Sequence, residues 1–265
     1  MPTAKLPDIE LHYERAGAGP PLLFISGTGG DLRVKPNVLD GPFPKSFDLL
    51  AYDQRGLGRS AKPDVDYSMA DYADDAAALM DHVGWRSAGV VGVSFGGMVA
   101  QELTLRHPAK VERLVLACTS PGGAGGASYP FHQIQHLKGE ARARHLIPVS
   151  DTRRDAAWQA ANAEQFAQFV AMGAADPHAG EPGREMGARR QLEARAGHDT
   201  WDRLEQIHCP VLIAAGRYDG VALPETQERM AGRIAGSTLR FFEGGHLFML
   251  QDRAAIPAML EFLNG

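Results

Sequence analysis

The chain has 265 residues, 44% of them hydrophobic and 22% charged, with a formal net charge of −5. That composition suits one well-buried globular core, and the negative balance offers no basic field for nucleic acid. No apolar run approaches the length of a membrane span, and Met-Pro-Thr-Ala-Lys-Leu-Pro at the start lacks the apolar stretch of a secretory leader, so a cytoplasmic protein is expected.

In chain order, Ile9, Leu11 and Tyr13 alternate with polar neighbours and read as a half-exposed strand. Ala16 to Pro21 makes a turn, and Leu22-Leu-Phe-Ile25 is the first buried strand. It runs into Ser26-Gly27-Thr28-Gly29-Gly30-Asp31. This Gly-rich loop has neither the dinucleotide fingerprint nor the Lys-Ser/Thr ending of a phosphate loop. An oxyanion loop is the better reading, with Thr28 the candidate donor and Gly27 and Gly29 beside it as candidate substrate contacts. Residues 32–46 hold three prolines and read as loop with at most a short helix. Phe47 to Tyr52 is another strand, followed by Asp53-Gln-Arg-Gly-Leu-Gly-Arg-Ser60, where Asp53 and Arg55 are expected to pair. Ser68 with Asp71 resembles a capping box opening a helix that runs to Gly84.

Next comes Ala88-Gly-Val-Val-Gly-Val-Ser94-Phe-Gly-Gly-Met. An apolar strand gives way to a helical rhythm that stops at Pro108, and the junction carries Gly92-Val-Ser94-Phe-Gly96. A turn this sharp strains its central residue and leaves no room for side chains at the flanking glycines. It would lift the Ser94 hydroxyl above the sheet at a helix N-terminus, with the Phe95 N–H as a second oxyanion donor.

After the strand Val111–Cys118 the composition shifts. Residues 119–206 contain Gly122-Gly-Ala-Gly-Gly126 and then Ala-, Arg-, Gln- and His-rich sequence. Helices are expected near 132–146, 151–172 and 184–205, broken at Pro148 and at Asp176-Pro177 to Pro182-Gly183. A helical insertion between two strands reads as a lid. Phe131, Trp158, Phe166, Phe169, Met172 and Trp201 either line a pocket or pack the lid, with Trp158 a candidate substrate contact. The sheet resumes at Val211–Gly216, leading into Gly216-Arg-Tyr-Asp219. A helix (224–234), a strand (237–242), Glu243-Gly-Gly-His246 and a closing helix (253–263) complete the chain. Alternating strands and helices imply a mostly parallel sheet covered on both faces. Cys118 and Cys209 lie by buried strands without metal-ligand spacing and read as core residues.

Three strand ends thus offer Ser94, Asp219 and His246. Imidazole can take the serine proton while the carboxylate fixes its tautomer, which is the requirement of nucleophilic acyl transfer; Glu243 is the rival acid. With these motifs, Asp53–Ser60 and Gly245-His246, the chain resembles the α/β-hydrolase superfamily everywhere outside 119–206. Within it, the chain is similar to small capped esterases and lactonases, including 3-oxoadipate enol-lactonase-like and perhydrolase-type enzymes. Ala196-Gly-His198-Asp-Thr-Trp-Asp-Arg-Leu204 is also typical of that branch, which makes His198 a further candidate contact. Ser26-Gly27 stands where many members carry His-Gly.

The resemblance implies an α/β fold with its core formed by 1–118 and 207–265, a helical lid at 119–206, and no metal or other cofactor. It implies a serine hydrolase that cleaves a small ester or lactone through an acyl-enzyme. The same triad would serve a C–C bond hydrolase or a thioesterase, and a receptor-like protein with little turnover is a further alternative. Nothing in the sequence specifies an oligomeric state.

Overall fold

The computed structural model describes residues 2–265. Eight strands form one sheet: β1 (Thr3–Lys5), β2 (Glu10–Ala16), β3 (Pro21–Ile25), β4 (Asp48–Tyr52), β5 (Ala88–Val93), β6 (Val111–Ala117), β7 (Val211–Gly216) and β8 (Thr238–Phe242). Their order is β1-β2-β4-β3-β5-β6-β7-β8. The β1–β2 and β2–β4 pairs are antiparallel, and every pair from β4 across to β8 is parallel. The expected mostly parallel sheet is present. β1 was not expected: three residues are too few to show a period, and the strand forms by pairing Ala4 with Leu11.

Successive residues of the buried strands point to opposite faces, so a continuous apolar run feeds two cores. Leu23, Leu50, Val90 and Leu114 pack with α1 (Met69–His82) and α2 (Phe95–Arg106) on one side. Their neighbours Leu22, Leu49, Val91 and Val115 pack with α9 (Ala255–Asn264) on the other. Helix α1 begins at the expected capping box, in which Ser68 and Asp71 each accept the other's backbone N–H. Residues 38–40 and 43–45 make two single 3₁₀ turns inside the expected loop.

Between β6 and β7 lie α3 (Gly139–Ser150), α4 (Ala156–Ala161), α5 (Ala163–Ala174) and α6 (Arg184–Ala196), with no named strand among them. Ala143, Ile147 and Val170 form a small core with Phe166 and Phe169. Pro148 does not separate two helices as expected; it lies inside α3, two residues before its end. A proline there forfeits only a last-turn hydrogen bond, so the helix stops just after it. Helix α7 (Pro224–Arg233) follows β7, and α8 (Phe248–Gln251) precedes α9.

One expected contact is absent. Arg55 does not pair with Asp53; its guanidinium binds Asp75 of α1 bidentately at 2.7 and 2.8 Å, against the rings of Tyr67 and Tyr72. The Asp53 carboxylate turns the other way and accepts the N–H groups of Leu32 (2.7 Å) and Arg59 (2.9 Å). Each buried charge thus has its own partners, as burial demands.

Candidate active site

Ser94 joins β5 to α2 with φ 55° and ψ −115°, a region that non-glycine residues avoid. Two glycines permit the turn. A Cβ on Gly96 would lie 2.0 Å from the Ile25 carbonyl oxygen, and one on Gly92 2.4 Å from that of Gly96. The Thr119 hydroxyl donates to the Ser94 carbonyl at 2.8 Å and fixes the turn from the β6 side.

The Ser94 hydroxyl lies 2.9 Å from His246 Nε2, and His246 Nδ1 lies 2.9 and 3.1 Å from the two Asp219 oxygens. Since the carboxylate only accepts, Nδ1 carries the proton and Nε2 is left free to accept from the serine. Asp219 is buried, and its Oδ1 also accepts the N–H groups of Val221 (2.7 Å) and Ala222 (3.0 Å), which holds it in place. Glu243 instead pairs with Arg217 at 3.0 Å.

The helical insertion braces this arrangement. The His246 N–H donates to the Ser150 carbonyl at the end of α3 (2.6 Å), and the Thr152 N–H donates to that of Tyr218 (2.9 Å). A Cβ on Gly245 would meet Ser150 O at 2.2 Å, so the close approach of α3 requires the glycine.

The loop 26–31, the expected oxyanion loop, packs against the serine turn. A Cβ on Gly27 would lie 3.5 Å from Ser94 Cβ, which places this loop against the turn. The Gly29 N–H is taken by Gln191 Oε1 of α6 at 2.8 Å. No protein acceptor engages the N–H of Thr28 or Phe95 among the described residues, so both remain available. Ser26, which stands in place of the histidine of many similar proteins, accepts from Gln54 Nε2 through its carbonyl at 2.8 Å, and its hydroxyl lies 3.3 Å from the same nitrogen.

A cavity of about 720 Å³ opens between Thr28, Gly29 and Leu57 of the body and residues 135–142 and α6 of the insertion. Trp158 borders neither this cavity nor the smaller ones beside the site; it stacks on Phe169 at 6.2 Å. His198 is buried next to a cavity of about 80 Å³. Its Nε2 donates to the Ser120 carbonyl at 3.1 Å, and burial pulls its pKa down to about 4.

Two groups at the site escaped the sequence reading, Gln191 and Arg195. They lie one turn apart on α6, and both reach the loop 26–31. Their spacing of four residues marks a shared face, but α6 carries four arginines and no strong apolar stripe, so the inward face was not legible.

The protein-family model described as the alpha/beta hydrolase fold matches residues 20–252. The proposed carbamate hydrolase RutD of Variovorax paradoxus (strain S110) is 31% identical over 266 residues, covering 96% of each chain. A poly(3-hydroxyalkanoate) depolymerase of Ectopseudomonas oleovorans is 27% identical, covering 92% of this chain and 84% of its own. Among solved structures, the enol-lactonase of Burkholderia xenovorans LB400 superposes with a TM-score of 0.80 at 25% identity, each chain covered in full.

Proposed function

Because this chain belongs to the α/β-hydrolase family, we propose that it is a serine hydrolase acting on carboxylic esters or lactones through an acyl-enzyme. The carrying observation is the continuous hydrogen-bonded line Ser94–His246–Asp219 at the ends of three parallel strands. Ser94 Oγ attacks the carbonyl carbon while His246 Nε2 takes its proton, and Asp219 stabilises the imidazolium that forms. The tetrahedral oxyanion is received by the unengaged N–H groups of Thr28 and Phe95, the latter at the N-terminus of α2. His246 then protonates the leaving oxygen, which departs as an alcohol or, from a lactone, stays tethered to the acyl group. A water deprotonated by His246 attacks the acyl-enzyme, and the acid is released as Ser94 regains its proton.

Residues 119–206 serve in this reading as a lid that shapes the acyl pocket. Two of these similar proteins favour it by name: a depolymerase of a polyester and an enol-lactonase both open an acyl–oxygen bond. The test is hydrolysis of p-nitrophenyl esters of graded chain length and of several lactones by wild type and Ser94→Ala. Wild type turns over at least one substrate, and the variant loses about 10⁴-fold or more in kcat while folding normally. Equal rates for the two proteins would overturn the proposal.

A further inference from the structure

Arg195 of α6 is 6% exposed, yet among the described residues no carboxylate forms an ion pair with it, and Asp219 acts on it only through space. Its Nη1 donates to the Thr28 hydroxyl at 2.8 Å and its Nη2 to the Ser128 hydroxyl at 2.7 Å, while its buried Nε–H has no acceptor. The other well-buried arginine, Arg55, has the bidentate partner Asp75. Burying a guanidinium against neutral groups is costly, and proteins rarely retain it without a use for the charge. Desolvation pulls the pKa of Arg195 down to about 10, which leaves it a full cation at neutral pH.

The surroundings repeat the pattern. Arg195 lies over the Phe131 ring at 4.6 Å, and Arg142 of α3 lies over the same ring at 5.8 Å. Arg142 is half-buried, its guanidinium reaching no carboxylate and only the Ile134 carbonyl at 3.5 Å. Arg142 and the exposed Lys138 border the large cavity that reaches Thr28, whereas Arg195 itself lines the cavity of about 80 Å³ beside His198. Of the acids on the rim of the large cavity, Asp176 is held by Arg184 at 2.8 Å, and Glu185 is exposed.

We infer that Arg195 is a substrate-recognition residue whose guanidinium, tied to the oxyanion loop through Thr28, receives an anionic group, so that the preferred ester or lactone carries a free carboxylate on its acyl side. This rests on the serine-hydrolase reading above. The carboxylate completes the donors of Arg195 with a charge-assisted pair, and the Thr28 contact then relays its position to the N–H that faces the reacting carbonyl. Selectivity follows because a neutral analogue leaves the buried cation unpaired.

The test compares mono-p-nitrophenyl succinate, glutarate and adipate with their neutral terminal amides. In wild type, at least one acid has kcat/KM ten-fold or more above its amide. In Arg195→Gln that acid-to-amide ratio falls to near one, and Arg195→Lys restores part of it. A wild-type ratio of one or less at every chain length, or a ratio unchanged in Arg195→Gln, would overturn the inference. A measurement on wild type alone guards against a variant that fails to fold. Free glutarate and its monoamide are compared as protectants of Ser94 against a fluorophosphonate. Stronger protection by glutarate supports the anion site, and equal protection refutes it. If Ser94 takes no label and no ester is cleaved, the serine-hydrolase reading itself has failed.

Discussion

Ser94 holds a backbone conformation that only glycine adopts without cost, and the fold imposes it by clamping Gly92 and Gly96 against neighbouring carbonyls. Ser94→Gly should therefore abolish hydrolysis yet raise stability by up to about 1 kcal/mol, read from urea unfolding midpoints. A loss of stability would show that the turn is not strained. His198 makes the opposite bargain. Its folded pKa of about 4 lies below the ordinary 6.5, so the unfolded chain binds the proton first as the pH falls. Stability should decline between pH 6.5 and 4 by as much as about 3 kcal/mol and level off below, since each unit is worth about 1.4 kcal/mol. His198→Gln should flatten that part of the profile; an unchanged slope would assign it to other groups. Ser94, Asp219 and His246 were legible one by one, because each sits in a glycine-marked turn after a strand. Arg195 was not, since burial of one arginine among several is decided by packing that no local pattern records.

Helix α6 approaches the body more closely than side chains allow. A Cβ on Gly187 would lie 1.9 Å from the Gly56 carbonyl oxygen, so the two backbones touch. The residues that reach Thr28 and Gly29, Gln191 and Arg195, follow one and two turns later on the same helix. Gly187→Ala should shift α6 outward and lower kcat/KM at least ten-fold, with the body still folded by circular dichroism. Activity within two-fold of wild type would show that the loop does not depend on this contact. At this scale the sheet was readable, because apolar runs of strand length bounded by glycine leave few alternatives. The insertion was readable only as helical. The break from Asp176 to Gly183 stands where expected, between α5 and α6, but the others fall at 151–155 and at Asn162 rather than at Pro148, where caps and tertiary contacts overrode the proline.

Across the whole molecule, the insertion is fastened at two ends. Ser150 and Thr152 bond the His246 and Asp219 loops, while a cluster of charges joins its far side to the body. There Arg33 binds Asp31 at 2.7 Å and Glu181 at 2.6 Å, and Arg184 reaches Asp31 at 3.3 Å. Burial alone would raise the pKa of Asp31, but its bonds to Arg33 hold it at about 2, so the cluster stays charged until strong acid. Arg33→Met should leave the global unfolding midpoint nearly unchanged while thermolysin cuts within 176–184 several-fold faster at neutral pH. Unaltered cleavage would mean the cluster does not hold this end. The double fastening also bears on how such enzymes can be recombined. The insertion supplies the carbonyl that positions His246, the amide that occupies Gly29 and the cation that grips Thr28. A chimera that imports residues 119–206 from a relative would replace all three at once. Exchanging this segment to alter substrate range therefore demands matched changes at 28–29 and 245–246.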